Sequence, residues 1–109
     1  MPELPEVEVT RLGLQPLLEL SIMRVIIRNY SLRWPINPAL PKLLKNQTLL
    51  DLSRRGKYIL AKFTSGTLII HLGMSGRLCI VSFDEPLNKH DHVDIRFKEN
   101  NLILRYRDP

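Results

Sequence analysis

The second half of this chain alternates apolar and polar residues with a period of two, and turn residues interrupt the alternation at short intervals. A period of two is the pattern of a β-strand with one buried face. It predicts strands separated by turns rich in glycine, serine and asparagine, at residues 48–53, 58–63, 67–72, 77–83, 92–97 and 102–106. Strands this closely spaced predict antiparallel pairing in a two-layer sandwich or flattened barrel.

The first half of the chain predicts the helical part of the fold. Apolar residues recur at helical spacing over residues 7–14, and Gly13 marks a stop before a proline that prevents further regular helix. β-Branched residues at 22–28 predict one more strand. Residues 38–46 predict a short helix that Asn37 caps, with its leucines on one side. The fold class is therefore α+β, mainly β, with an amino-terminal helix packed against the sandwich.

Charge and cysteine content limit the class of protein. The chain has 109 residues, enough for one domain, and its net charge of +5 favours an anionic partner, with nucleic acid as the first candidate. Cys79 is the only cysteine, which excludes an internal disulfide and a four-cysteine zinc site within these residues. No apolar run is long enough to cross a membrane, and the amino terminus lacks a signal-peptide pattern. We therefore expect a cytoplasmic protein without a membrane partner.

The amino terminus could supply a nucleophile. A small residue at position 2 normally lets the initiator methionine be removed, which leaves Pro2 with a free secondary amine. Such an amine can attack an electrophilic carbon, and the resulting iminium persists without losing a further proton. Glu3 can serve as an acid or base, and Glu6 and Glu8 suit the positive end of a helix that begins nearby. The alternative is a solvated terminus with no chemical role.

A basic turn follows the first strand of the alternating region. Arg54, Arg55 and Lys57 surround Gly56. Three cations therefore lie at a point where the absence of a side chain lets a ligand come close to the backbone. Such a cluster can grip phosphates. A solvated surface turn with no ligand is the alternative.

A second turn carries a methionine between two glycines. In residues 71–78, Gly73 and Gly76 bracket Met74 and Ser75. A tight turn of this kind can direct the methionine outward, where an apolar wedge can enter a base stack. The alternative is a methionine that fills a gap in the core.

Two histidines form the only pattern typical of metal ligands. His90 and His92 alternate along a segment that we predict to be extended, so their side chains share one face while Asp91 points away. Two imidazoles can bind zinc, but the sequence offers no convincing third ligand. We therefore predict no metal site.

Five separated motifs together resemble the amino-terminal domain of the formamidopyrimidine-DNA glycosylases, which excise oxidised purines from DNA. They are Met-Pro-Glu-Leu-Pro-Glu-Val-Glu at 1–8, Arg-Arg-Gly-Lys-Tyr at 54–58, His-Leu-Gly-Met-Ser-Gly at 71–76, Lys-His-Asp-His-Val-Asp at 89–94 and Arg-Tyr-Arg-Asp-Pro at 105–109. The resemblance implies that Pro2 forms a Schiff base with the deoxyribose and that Glu3 is its acid/base partner. We further expect Glu6 to support the orientation of the amine.

The same resemblance implies roles for residues in the other motifs. Lys57 donates a proton in β-elimination next to the scissile phosphate, and Met74 fills the void left by the flipped base. His90 contacts a DNA phosphate. Beyond what the resemblance implies, we expect Arg55 to contact the DNA backbone and His92 and Asp94 to be structural. The helix carrying the nucleophile packs against the two-layer β structure.

The resemblance covers only the amino-terminal domain, residues 1–109. The family's helix–two-turn–helix domain and its zinc finger are absent from this chain, so we expect no cofactor here. We expect a monomeric DNA glycosylase with lyase activity on double-stranded DNA that contains oxidised purines or abasic sites. Two alternatives remain: a truncated, non-catalytic or vestigial DNA-binding domain of that family, and a tautomerase that uses Pro2 on a small keto acid.

Overall fold

A computed structural model describes residues 4–31, 36–73 and 75–109 of the chain. The helical elements are α1 (Leu4–Gly13), a 3₁₀ helix (Gln15–Leu17) and α2 (Leu40–Leu44). The strands are β1 (Ile22–Ile27), β2 (Leu49–Arg55), β3 (Tyr58–Phe63), β4 (Gly66–His71), β5 (Arg77–Ser82), β6 (Asp91–Phe97) and β7 (Leu102–Arg107).

Two antiparallel sheets form the body of the protein. The larger has the strand order β1-β6-β7-β5, and the smaller has the order β2-β3-β4. Their apolar faces form one core, in which Ile22 and Phe97 of the larger sheet and Ile59 and Phe63 of the smaller sheet are almost fully buried. Helix α1 contacts β2, β3 and β5, so it packs against both sheets. The predicted two-layer sandwich with an amino-terminal helix is confirmed.

Helix α1 begins earlier than the apolar periodicity predicted. It starts at Leu4 because Pro5 is tolerated in a first turn, where its missing N–H has no helical partner. Val7 is buried against the core, while Val9 and Leu12 are exposed. Gly13 ends the helix as predicted, but the chain then forms a 3₁₀ helix with the following proline in its first turn. A proline therefore starts a second short helix instead of an irregular segment.

The predicted helix around residues 38–46 is shorter in the structure. It covers only Leu40–Leu44. The side-chain oxygen of Asn37 accepts a hydrogen bond from the Ala39 amide at 2.9 Å, so Asn37 organises the approach to the helix without being its cap residue. Leu44 is buried and Leu43 is 59% exposed, so the leucines do not all face the core as expected. No helix among the described residues has the length and apolarity needed to cross a membrane.

Candidate nucleic-acid interface

The strand ends of the smaller sheet place the basic turn at one end of the sandwich. Arg55 at the end of β2 lies opposite Tyr58 at the start of β3, which lies opposite His71 at the end of β4. The Tyr58 and His71 rings are 4.9 Å apart between centroids. The turn that contains Lys57 therefore projects from the end at which the chain leaves β4.

The larger sheet brings its own strand ends to the same place. Residues 72–76, here named the methionine turn, join β4 directly to β5. Arg77 at the start of β5 lies opposite Arg107 at the end of β7, which in turn lies opposite Asp91 at the start of β6. Residues 89–92, here named the histidine segment, therefore lie at this end too.

Three predicted site residues, Pro2, Glu3 and Met74, lie outside the part of the chain that the structure describes. The described ones all lie at this end of the sandwich: Glu6 in the first turn of α1, Arg55 at the end of β2, Lys57 in the turn after it and His90 immediately before β6. Glu6 and Arg55 are exposed, while Lys57 and His90 are half-buried. The fold thus gathers these four side chains at one end, and their chemical roles stay predictions.

Ion pairs hold helix α1 along strand β2. Glu8 lies 2.6 Å from the Arg11 guanidinium and 3.2 Å from Nε of Arg54. Arg11 also donates to the backbone carbonyl of Leu52 at 3.2 Å. Because Glu8 faces Arg54 while Arg11 faces Leu52, α1 runs antiparallel to β2. The first turn of α1 consequently points toward the turn that contains Lys57.

Arg54 connects that helix to the basic turn itself. Its second guanidinium nitrogen donates to the carbonyl of Gly56 at 3.0 Å, and Gly56 has a φ of +58°, which favours glycine. The hydrogen bonds from Arg11 and Arg54 lower the pKa of Glu8 to about 2, so its carboxylate is ionised at neutral pH. The sequence predicted Glu8 only as a partner of the helix dipole. The contact between Glu8 and Arg54 joins residues 46 positions apart, so no local sequence pattern could predict it.

The methionine turn is closed by a glycine that has no room for a side chain. Gly73 has a φ of +66°, and the amide of Gly76 donates to the carbonyl of Leu72 at 2.8 Å. A Cβ on Gly76 would lie 2.2 Å from that carbonyl oxygen and 2.6 Å from the hydroxyl of Tyr106. The turn is therefore packed directly against the Tyr106 side chain.

Gly76→Ala is expected to destabilise the protein by about 1–3 kcal/mol, because the new methyl group overlaps backbone and ring atoms. Thermal unfolding measures the loss. Gly66→Ala is the matched control, since no heavy atom lies within 4 Å of a Cβ there. Equal stability of Gly76→Ala and Gly66→Ala would contradict the close packing of the turn on Tyr106.

Buried charges anchor the histidine segment. Arg105, which is 1% exposed, donates from Nε and Nη2 to Asp94 at 2.9 and 3.1 Å. Arg107 donates in the same two-fold manner to Asp91 at 2.6 and 3.3 Å. Two residues three positions apart in a regular strand face opposite sides of the sheet. Asp91 and Asp94 are nevertheless both buried, because β6 shifts register between Asp91 and Val93. The extended alternation predicted for His90 and His92, with Asp91 pointing away, was therefore wrong, because the strand begins only at Asp91 and then bulges.

The guanidinium groups keep both carboxylates ionised. Burial raises the pKa of Asp94, but hydrogen bonds from Arg105 and Arg28 together outweigh it and bring that pKa below its usual range. Arg107 is the main cause of the lowered pKa of Asp91. Asp94 is therefore a structural residue, as predicted. The paired charges fix the start of β6 against the end of β7, and with them the position of the histidine segment.

The described residues contain no group of three or more histidine, cysteine, aspartate or glutamate side chains placed to hold a metal ion. One ring nitrogen of His92 instead lies 2.7 Å from the carbonyl oxygen of Asp108. A four-cysteine zinc site cannot be built from 109 residues that include a single cysteine.

A half-open pocket with a volume of about 490 Å³ lies between the two sheets. Its walls are mostly aliphatic, with Tyr58, His71 and Tyr106 among its lining residues. None of the described residues with a predicted chemical role lines it. The candidate chemistry therefore belongs to the exposed strand ends and not to this apolar space.

Comparison with known proteins identifies the family. A family model for the formamidopyrimidine-DNA glycosylase N-terminal domain matches residues 1–109. The chain belongs to the formamidopyrimidine-DNA glycosylase family. It is 54% identical to the formamidopyrimidine-DNA glycosylase of Methylobacillus flagellatus over 109 residues, and 56% identical to that of Saccharophagus degradans over 110 residues. It is covered completely in both cases but spans only 39% and 40% of the two relatives.

Solved structures of glycosylases from this family have the same fold. The chain superposes on Lactococcus lactis formamidopyrimidine-DNA glycosylase bound non-covalently to DNA with an abasic site, with a TM-score of 0.86 and 32% identity. It matches the same glycosylase in complex with DNA that contains FAPY-dG with a TM-score of 0.87. The matches cover 98% and 97% of this chain, and 41% and 40% of the solved chains. The family resemblance seen in the sequence is confirmed.

Proposed function

We propose that this domain carries the catalytic nucleophile of a base-excision repair glycosylase that removes oxidised purines from double-stranded DNA and then cleaves the abasic site. The observation that carries the proposal is the collection of Glu6, Arg55, Lys57 and His90 at one end of the sandwich, where helix α1 also begins. Family membership supports it, as do the relatives solved with lesion-containing DNA. The relatives are bacterial, and we place the activity in the bacterial cytoplasm.

The proposed chemistry begins at the amino terminus. The Pro2 nitrogen attacks C1′ of the damaged nucleotide, the bond from C1′ to the base breaks, and the base leaves with a proton. Glu3 supplies and removes protons at the sugar as the ring opens, and Glu6 orients the amine. The product is an iminium that joins Pro2 to the sugar. No cofactor takes part in these steps.

The iminium makes strand cleavage possible. It withdraws electrons from C1′ and so acidifies the hydrogen atoms on C2′, which allows the C3′–O bond to break by β-elimination. A second elimination further along the sugar, the δ-elimination, then breaks the C5′–O bond. Lys57 provides the proton for the leaving phosphate, while Arg55 and His90 hold the DNA backbone. Met74 occupies the gap left by the flipped nucleotide and lowers the cost of flipping.

The orientation of α1 supports separate roles for the amino terminus as nucleophile and for Lys57 as proton donor. Glu8 and Arg11 align the helix so that its first turn points toward Lys57, and Arg54 bonds to both the helix and the basic turn. Arg54 thus links helix α1, through Glu8, to the turn that contains Lys57. The basic residues around the site also suit a polyanionic substrate.

A strand-cleavage assay tests the proposal. Duplex DNA with one abasic site is incubated with the 109-residue protein, and the ends are analysed on a sequencing gel. The proposal predicts fragments that carry a phosphate on each side of the missing nucleoside, the product of combined β- and δ-elimination. Intact DNA after incubation with folded protein that lacks its initiator methionine would contradict it.

Lys57→Met is expected to slow strand cleavage by about 10²-fold or more, the usual contribution of a positioned general acid. Covalent trapping of the iminium with borohydride should persist, because Lys57 acts after the nucleophilic step. Cleavage and trapping are measured on the same abasic duplex. Lys62→Met is the matched control, since Lys62 is an exposed lysine at the far end of β3. Equal slowing of cleavage and trapping by Lys57→Met would contradict the assignment.

A second candidate function is DNA binding without catalysis. The net charge of +5 favours an anionic partner, with or without catalysis. This second function predicts DNA binding that weakens steeply as the salt concentration rises. In an Arg55→Gln variant, the slope of the logarithm of the binding constant against the logarithm of the salt concentration should be smaller by about 1. Neither the wild type nor the variant should form a covalent product with DNA. Any iminium trapped by borohydride excludes it. The tautomerase alternative explains neither the basic turn nor the family match.

A further inference from the structure

Asp108 directly follows β7 and bonds to both the methionine turn and the histidine segment. Its carboxylate accepts hydrogen bonds from the hydroxyl of Ser75 and, at 3.0 Å, from the hydroxyl of Tyr106. Its backbone N–H donates to the carbonyl of His90 at 3.0 Å, and its own carbonyl oxygen lies 2.7 Å from Nε2 of His92. One residue therefore joins the two elements that the proposed function brings to the DNA.

The two carboxylate oxygens of Asp108 hold the methionine turn by separate routes. Oδ1 accepts from Ser75, which lies within the turn, and Oδ2 accepts from Tyr106, whose ring bounds Gly76. Burial and the neighbouring Asp108 carboxylate raise the pKa of Tyr106 to about 12, so its hydroxyl stays protonated and can donate. A hydrogen bond to an ionised acceptor is stronger than one between neutral groups.

The backbone of Asp108 is attached to a rigid partner. Asp91 in the histidine segment is held by two hydrogen bonds from Arg107 and one from the amide of Asn88. Ser75, by contrast, is exposed. Asp108 therefore ties the exposed Ser75 of the methionine turn to a segment that buried charges fix in place.

We propose that Asp108 is a positioning residue that sets the methionine turn against the histidine segment. Under the proposed function, the methionine turn then meets the DNA at a fixed distance from the phosphate that His90 contacts. This inference rests on the proposed function, and it assigns Asp108 no contact with the reacting atoms. Misplacement of such an element by about 1 Å can cost about 10²-fold in rate, so a positioning residue remote from the chemistry can have a large effect.

Amide hydrogen exchange in the free protein tests the mechanical link without DNA. The reporters are the Gly76 amide in the methionine turn and the amide of residue 108, which bonds to His90. Ser75→Ala removes one side-chain bond from the turn. If Asp108 transmits that loss, exchange should accelerate by about three- to tenfold at both amides. Acceleration at Gly76 alone would overturn the proposed link.

The matched control for Ser75→Ala is Ser82→Ala. Ser82 also donates its hydroxyl to an aspartate, Asp84, but at the opposite end of β5. It should leave exchange at both reporter amides and the rate of strand cleavage unchanged. A response equal to that of Ser75→Ala would mean that the reporters follow global stability, and would also overturn the proposal.

Cleavage kinetics separate positioning from a simple effect of charge. Asp108→Asn removes a negative charge near the DNA, so electrostatics alone predicts tighter binding with no loss of rate. Positioning predicts that the saturating cleavage rate falls about tenfold although binding is equal or tighter. Combining Asp108→Asn with Ser75→Ala should then add little further loss, because both break the same connection.

The outcomes distinguish this inference from the proposed function. An unchanged saturating rate in Asp108→Asn, with wild-type cleavage present, overturns the positioning role. Absence of cleavage by the wild-type protein contradicts the proposed function of the domain alone, and the exchange experiment still decides whether Asp108 links the two elements.

Discussion

Converting the Pro2 nitrogen into an ordinary peptide amide is expected to reduce borohydride-trapped adduct by at least about 10³-fold, the scale on which removal of an enzyme's nucleophile acts. A short amino-terminal extension achieves the change without altering any described residue. An amide nitrogen has no available lone pair, so it cannot attack C1′. The measurement is the yield of protein–DNA adduct on an abasic duplex after a fixed time.

Two controls accompany this variant. Pro2→Gly keeps a free primary amine once the initiator methionine is lost, so it should lose less adduct than the extended protein. Thermal unfolding of the extended protein should match that of the wild type. Undiminished trapping by a folded, extended protein would show that another amine is the nucleophile.

Arg105→Met is expected to cost about 3–5 kcal/mol of unfolding free energy, because it leaves Asp94 buried without its main partner. Arg105 is 1% exposed and Asp94 is fully buried, so water cannot readily replace the lost hydrogen bonds. At about 4–8 °C for each kcal/mol, the midpoint of thermal unfolding should fall by more than about 12 °C. Calorimetry or circular dichroism measures both quantities.

Arg77→Met is the matched control for this loss. Arg77 is an exposed arginine on β5 in the same sheet, and its replacement should change stability by no more than about 0.5 kcal/mol. The double variant Arg105→Met with Asp94→Leu should recover much of the stability, since a buried pair can be replaced by apolar side chains at little cost. A loss below about 1 kcal/mol in Arg105→Met alone would contradict the buried pairing.

The same cluster predicts sensitivity to acid. The pKa values of Asp91 and Asp94 lie below the unfolded value of about 3.9, so the unfolded chain binds protons that the folded chain does not. Their stabilising contribution is present above that value and is lost as pH falls through the folded pKa values. The unfolding free energy of the wild type should therefore drop below about pH 4, more steeply than that of the double variant.

The strands could be predicted from the sequence because their signal is local. A half-buried strand repeats every two residues, and β3 has the boundaries that the alternation predicted. Strand β2 extends two residues further than predicted, to Arg55, because a two-residue turn with a left-handed Gly56 allows pairing up to its edge. The register shift in β6 was not predictable, since it depends on Arg105 and Arg107 in the neighbouring strand.

The candidate site was predicted from motifs, while its supporting contacts were not. Lys57 and His90 were singled out by motifs that the family shares, and the fold brings both to one end of the sandwich. The pairing of Glu8 with Arg54 connects residues far apart in the chain, and so do the bonds of Asp108 to Ser75, His90 and His92. Local periodicities and short sequence motifs contain no information about such contacts. Aspartates within strands, such as Asp94, are the one local hint of buried ion pairs.

Peptide mapping of the trapped adduct tests the central claim most directly. The protein is trapped with borohydride on an abasic duplex, the DNA is digested, and the peptide that carries the sugar remnant is identified by mass spectrometry. The account predicts a modified amino-terminal peptide that begins at Pro2, with the remnant on its α-nitrogen. A remnant on Lys57 or another lysine, or no adduct from folded protein that begins at Pro2, would contradict it.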